Sequence, residues 1–307
     1  MKKIEGIDFA DYLEFIGTQE SQSLVSLSNG TEKAWDRIQK GVEIFGAKTP
    51  WPTIESKMRF RPGELTIWAG YNGSGKSQVL SQCTTVWFRE TPIAIASFEM
   101  PIDALAERFA YQMAGRRNFS IEEFARIMAA TDNRYWVYDE VDTVASERVL
   151  GMAIYCAKEL HCQHIIIDSL VKCGLSMDQT KSAGAQRDFV DRLCWIAKTY
   201  RTHVHLVHHM RKGESRSAMG SKFDVKGAGE ITDLADNVIL IWRNKPKEDA
   251  MQQDPNSMEF AVQPDTVITI DKQRHGAWEG KVGLFFDKDS RQLMERKGDL
   301  PRAMPLS

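Results

Sequence analysis

The stretch that most restricts the fold is GYNGSGKS, residues 70–77, set between the apolar run LTIWA and the segment SQVLSQCTTVWF. The run before it reads as a buried strand and the segment after it as a helix, so the octet is a strand-to-helix turn. It satisfies Gly-x-x-x-x-Gly-Lys-Ser in full, the pattern of a loop wrapped around phosphate. Gly70, Gly73 and Gly75 let successive backbone N–H groups crowd around one anion. The helix beginning near Lys76 aims its positive end at the same point. Lys76 should reach the outer phosphates and Ser77 a Mg²⁺ ion, with Asn72 and Ser74 completing the loop. ATP, or another NTP or dNTP, is the expected ligand.

Such a turn belongs in a parallel sheet, and the downstream pattern supplies one. Short β-rich runs at 65–69, 93–98, 136–138, 164–167, 204–207 and 238–242 alternate with helical segments. Continuous apolar strands of this kind predict a sheet covered on both faces. After residue 242 the stretch RNKPKEDAMQQDPNSMEFAVQPD reads as a polar loop. Runs at 267–271 and 282–286, joined by KQRHGAWEGK, read as a closing antiparallel hairpin. The expected class is α/β: a mostly parallel sheet flanked by helices, with a C-terminal antiparallel hairpin.

Two carboxylates follow strands of this sheet. Asp168 ends the run HIIIDS, where a Mg²⁺-organising Asp is presented, although an Asp there also caps a following helix. Glu99 follows IAIASF and opens onto the crevice where ligands bind in open α/β sheets. It is the candidate general base for water; a solvated acid ahead of a helix is the plainer alternative.

Composition neither adds to this nor opposes it. Forty Lys and Arg against 42 Asp and Glu leave a net charge of −2, so no global basic surface advertises nucleic acid. The five cysteines show no CxxC spacing and read as buried free thiols of a reducing compartment. With no signal-like N-terminus and no apolar run of about 18 residues, a cytoplasmic chain without a membrane span is expected.

Six segments then follow one another in order: GYNGSGKS, SFEMP, IIIDSL, LVHHMRK, DVKGAGEITDLADNVILIWRNK and IDKQRHG. Together they resemble the RecA-like P-loop NTPase core of DnaB-like hexameric replicative helicases, nearest to the helicase half of phage helicase-primases and Twinkle. The resemblance covers roughly residues 45–295. It implies Glu99 as the catalytic glutamate and Asp168 as the metal-side aspartate. His209 is implied as the γ-phosphate sensor, with the adjacent His208 left open as its alternative. Lys272 and Arg274 are implied as a basic pair reaching the neighbouring subunit's site, Arg274 as an arginine finger. Arg243 and Phe286 would flank the adenine. An arginine supplied in trans is worth about 10³–10⁵ in rate, or about 4–7 kcal/mol. An isolated subunit should therefore be nearly inert.

The resemblance also implies a homo-hexameric ring acting on single-stranded DNA and forked duplex with 5′–3′ polarity, and a phage-type replication module. A separate primase and polymerase would be partners. Two segments read as DNA-contacting loops. The one after Asp168 carries Lys172, Lys181 and Arg187; the one after His209 carries Arg211, Lys212, Lys222, Lys226 and the close-approach Gly227. Such loops hold a strand by its phosphates with little sequence preference. The scattered tryptophans, Trp195 among them, read as core. A RecA- or RadA-type recombinase and a regulatory ATPase ring share the fold and remain competing readings. Residues 1–45 read as a helix at 8–17 plus linker, either docking on a neighbour or packing on its own domain. Residues 46–296 form the ATPase core and 297–307 a polar tail.

Overall fold

The computed structural model describes residues 26–39, 45–175, 179–210, 221, 224 and 228–306. The chain divides into two compact units, Met1–Ile44 and Phe45–Ser307. In the first, a 3-10 turn at Leu27–Gly30 leads into helix α1 (Thr31–Gln39), where the sequence had read as linker up to residue 31. The helix expected at 8–17 lies outside the described residues.

The second unit starts with the short helix α2 (Pro52–Glu55). There follow β1 (Leu65–Gly70), α3 (Lys76–Glu90), β2 (Ile93–Ser97), α4 (Ile102–Ala114), α5 (Ile121–Ala129) and β3 (Tyr135–Tyr138). The middle of the chain forms α6 (Ser146–Lys158), β4 (His164–Asp168), α7 (Gln179–Tyr200), β5 (His203–His209), α8 (Ala228–Leu234) and β6 (Asn237–Arg243). It closes with α9 (Lys245–Gln253), α10 (Met258–Ala261), β7 (Thr266–Gln273), β8 (Gly280–Phe286) and β9 (Leu293–Met294).

Among the described residues, all nine strands form one sheet in the order β3-β2-β4-β5-β1-β6-β7-β8-β9. The strands from β3 to β6 pair in parallel, and β6 to β9 pair antiparallel. The expected α/β sheet with a closing hairpin is what the chain builds.

The strands are unbroken apolar runs because both faces are covered. Leu65, Ile67, Ile165, Ile167, Val204 and Leu206 pack under α6, α7 and α8 on one face. Trp68, Ile166, Val207, Ile239 and Ile241 pack under α3 and α4 on the other. The second face also buries His164, His203 and His205, stacked with Trp87; its ring lies 4.4 Å from that of His205 and 4.6 Å from that of His164.

Three expectations are corrected here. The polar stretch after β6 is helical: Asn244 caps α9, its Oδ1 accepting from Lys247 N–H at 3.0 Å, and Pro246 occupies the first turn. The loop expected after Asp168 becomes α7 from Gln179 onward, so Arg187 sits on a helix rather than a loop. Its polar N-terminal half, QTKSAGAQR, hid a helix whose apolar stripe begins only at Phe189. Trp195 is not core: it stands 55% exposed on α7. All five cysteines are buried and free.

Residues at the C-terminal end return to α4. Met304 N–H donates to Met113 C=O at 2.7 Å, and Gln292 holds Arg302 through both its amide groups.

Candidate nucleotide site

The parallel strands deliver their C-terminal ends to one edge, and register sets neighbours side by side. Gly70 pairs with His209 across β1 and β5, and Ser97 with Asp168 across β2 and β4. The loop after β1 and the residues after β2, β4 and β5 thus meet in one cleft of about 920 Å³. Lining it are Asn72, Gly73, Ser74, Gly75, Lys76, Ser77, Glu99, Asp168, His209 and Arg243, all anticipated from sequence.

Two glycines are required by shape. Gly75 precedes α3 at φ +90°, a left-handed conformation that L side chains seldom adopt. At Gly70 a Cβ would run into Ser74 Oγ and the Ile241 carbonyl. The Lys76 ammonium donates to the carbonyls of Gly70 at 3.0 Å and Tyr71 at 3.1 Å, which holds it over the loop. Burial pulls its pKa down, and the charges of Asp168 and Glu99 partly restore it.

Ser77 Oγ donates to Asp168 Oδ2 at 2.6 Å. Burial raises the Asp168 carboxyl above the ordinary Asp range, against the lowering effect of the Ser77 hydrogen bond. A hydroxyl and a buried carboxylate in contact are hard oxygen donors, the set that suits Mg²⁺ when phosphates supply further ligands. Among the described residues no group of three His, Cys, Asp or Glu would hold a metal unaided.

On the other wall, Ser169 Oγ donates to Glu99 Oε1 at 3.0 Å and lies 3.4 Å from His209 Nε2. His209 Nε2 stands 3.5 Å from Glu99 Oε1, and its Nδ1 is 3.4 Å from the Lys76 ammonium. Between the two histidines left open by the sequence, His209 faces the cleft, while His208 is wholly buried.

An adjoining cleft of about 600 Å³ shares Ser74, Gly75, Gln78 and Arg243 with the first. Phe286 lines it, and Arg243 ion-pairs with Glu248 of α9. Lys247, also on α9, donates to the Gln263 carbonyl and pairs with Asp265 at 2.7 Å, which holds that wall in place.

Lys272 and Arg274 lie elsewhere. The Lys272 ammonium donates to the carbonyls of Thr232, Asp233 and Ala235 at the C-terminal end of α8. Arg274 Nη1 donates to Asp236 Oδ1, and Nη2 to the Asp233 carbonyl. Asp236 Oδ2 accepts from Leu65 N–H at the opposite end of β1 from Gly70. The six residues of β1 separate the two ends by about 20 Å at strand rise. The basic pair is not part of its own chain's cleft.

Of the expected DNA-contacting residues, Lys172 ion-pairs with Asp142 at 3.2 Å and Arg187 lies on α7. Lys181 also lies on α7, but its side chain is outside the description. Arg211, Lys212, Lys222, Lys226 and Gly227 lie outside the described residues.

Two cleft residues had escaped the sequence reading. Ser169 follows Asp168 directly, and a serine there carries no sequence signal of its own. Arg108 of α4 did leave one: a charge set beside Leu105, Phe109 and Gln112, which the helix buries.

A phosphate loop after β1, an Asp at the end of β4 and a glutamate just after β2, on a mostly parallel sheet, define a RecA-like P-loop ATPase fold. The family model for an AAA domain matches residues 50–215, more than half of the chain, and the chain belongs to that family. The solved ATPase domain of one DnaB-like replicative helicase is similar over 89% of this chain and 99% of its own, at 14% identity and a TM-score of 0.72. A second DnaB-like replicative helicase, described with its interactions with primase, is similar over 88% of this chain and 67% of its own, at 15% identity and a TM-score of 0.67. At such identities the likeness is one of fold. No curated protein matches the sequence. Among the described residues no helix is long and apolar enough to cross a membrane.

Proposed function

We propose that this chain is an ATP-driven DNA helicase that works as a ring, moving along single-stranded DNA in the 5′–3′ direction and parting forked duplex. The observation that carries the reading is the contact of Ser77 with Asp168 in the same cleft as the Glu99–Ser169–His209 array. The ordered motifs and the fold shared with helicase ATPase domains support it.

In this reading the backbone amides of residues 70–77 and the N-terminus of α3 hold the inner phosphates. Ser77 and Asp168 would hold Mg²⁺, which when bound supplies charge neutralisation between the outer phosphates. Lys76 leaves its two carbonyl partners for the phosphate chain. Glu99, steadied by Ser169, accepts the proton of the attacking water. His209 bridges Lys76 and Glu99 and begins the segment that runs to α8, so it carries the phosphate state towards DNA. The adjoining cleft takes the base between Arg243 and Phe286. Arg274 and Lys272 act on the next subunit; their distance from their own cleft favours work in trans.

The DNA contacts are assigned to Lys172, Lys181 and Arg187 and to Arg211, Lys212, Lys222, Lys226 and Gly227. The test is unwinding of a labelled forked duplex with ATP and Mg²⁺. Strand release that requires a 5′ tail and vanishes in Glu99→Gln supports the helicase. DNA-independent turnover without release would reduce the chain to an ATPase of another kind.

A further inference from the structure

The nucleotide cleft holds a second arginine whose hydrogen-bonding capacity is not used. Arg108, on α4, lines it together with Lys76, Ser77, Glu99 and Asp168. Its Nε and Nη1 are buried without a hydrogen-bond partner. A guanidinium presents five donors in a planar fork, and leaving such donors buried and unmet is costly. Burial accordingly pulls its pKa down, with neighbouring Arg291 adding to the effect and Asp168 opposing it.

The nearby acids are already spent. Asp168 accepts from Ser77, and Glu107 is paired with Arg291 at 3.0 Å. Arg291 itself lies over the Tyr111 ring, 4.7 Å from its centroid. One arginine of the two is therefore committed, while the other keeps its Nε and Nη1 unmet beside the cleft. An oxyanion that accepts both prongs of the fork is what such a group recognises best, and phosphate is the anion this cleft is shaped to take.

The position also selects which phosphate. Residues 70–77 and the N-terminus of α3 surround the inner phosphates. Arg108 comes instead from the helix that follows Glu99, and Asp168 is the first of the charges that stabilise it. Glu99 and Asp168 bracket the place where the bond to the terminal phosphate would be broken.

We infer that Arg108 binds the terminal phosphate of the nucleotide within its own subunit, distinguishing the triphosphate from the diphosphate. This rests on the ATPase reading above. It makes Arg108 a binding residue in cis, complementary to Arg274 from the neighbour. Once the phosphate leaves, the fork loses its partner, so the cleft holds the diphosphate no more tightly for having Arg108.

The test is equilibrium binding of a fluorescent ADP and of a non-hydrolysable imido analogue of ATP, each with Mg²⁺, to wild type, Arg108→Ala and Arg108→Lys. Arg108→Ala should weaken the ATP analogue about 10- to 100-fold, the worth of charge-assisted hydrogen bonds, and leave ADP within about 2-fold. Retained ADP binding shows that the variant is folded. If Arg108→Ala does not fold, Arg108→Lys carries the comparison, because it keeps the charge and loses the fork; the analogue alone should weaken. Equal losses for both nucleotides, or no loss for the analogue, would overturn the inference. Lys76→Ala is the control for the reading beneath it and should weaken both nucleotides. Wild type binding neither would overturn that reading and this inference together.

Discussion

Arg274 Nη1 donates to Asp236 Oδ1 at 2.9 Å, and Arg274 N–H donates to the Asp236 carbonyl at 2.8 Å. Asp236 also accepts from Leu65 N–H, so one buried carboxylate ties the proposed finger to the base of the central strand. Asp236→Ala leaves two donors without their acceptor and should destabilise the fold by about 1–3 kcal/mol, read as a shift in urea midpoint. Arg274→Ala, at a side chain 39% exposed, should cost clearly less. Equal costs would mean that the carboxylate serves only the arginine.

The Ser77–Asp168 contact defines the proposed metal side. Asp168→Asn keeps the shape of the side chain and removes its charge. Steady-state ATP turnover should fall by about 10²-fold or more, in line with the loss of charge stabilisation at a phosphoryl-transfer site. Far-UV circular dichroism should stay unchanged. Turnover within a few-fold of wild type would remove Asp168 from the site.

The base and the terminal phosphate are read by different residues. Phe286→Ala removes a ring from the adjoining cleft and should weaken ATP and ADP alike by about 3- to 10-fold, the worth of one aromatic contact. The ratio of the two affinities is the readout. A change confined to ATP would place Phe286 near the phosphates instead.

Acid should unfold this protein early. Burial and neighbouring imidazoles push His164 and His205 well below their ordinary pKa, and burial pushes His203 to about 3. Each is neutral when folded and takes a proton when unfolded, so the unfolded chain binds more protons below about pH 6.5. Stability should be full above about pH 6.5 and fall towards about pH 3, by about 1.4 kcal/mol per pH unit for each histidine. Urea midpoints measured from about pH 8 down to about pH 5 give the slope. A flat profile across that range would mean that the cluster is already charged in the fold.

Much of the sheet and of the cleft was legible because both rest on local pattern. The loop at 70–77 has a fixed spacing, and Asp168 and Glu99 end apolar runs whose strand character is plain. What stayed hidden depends on partners distant in sequence. The fork of Arg108 acquires meaning only when α4 lies beside Asp168. The helical stretch from Lys245 was masked by its polarity, since its stabilising contacts come from Asn244, Gln263 and Asp265 instead of a continuous apolar stripe. Likewise α7 begins polar because its apolar stripe starts only at Phe189.

The central claim is that the site is completed by a neighbour and coupled to DNA. The most direct measurement is ATPase rate per subunit across protein concentration, with and without single-stranded DNA, for wild type and Arg274→Ala. The account predicts a steep rise with concentration, stimulation by DNA, and a fall of about 10³-fold or more in the variant. A rate that is independent of concentration, indifferent to DNA and unchanged in Arg274→Ala would contradict it.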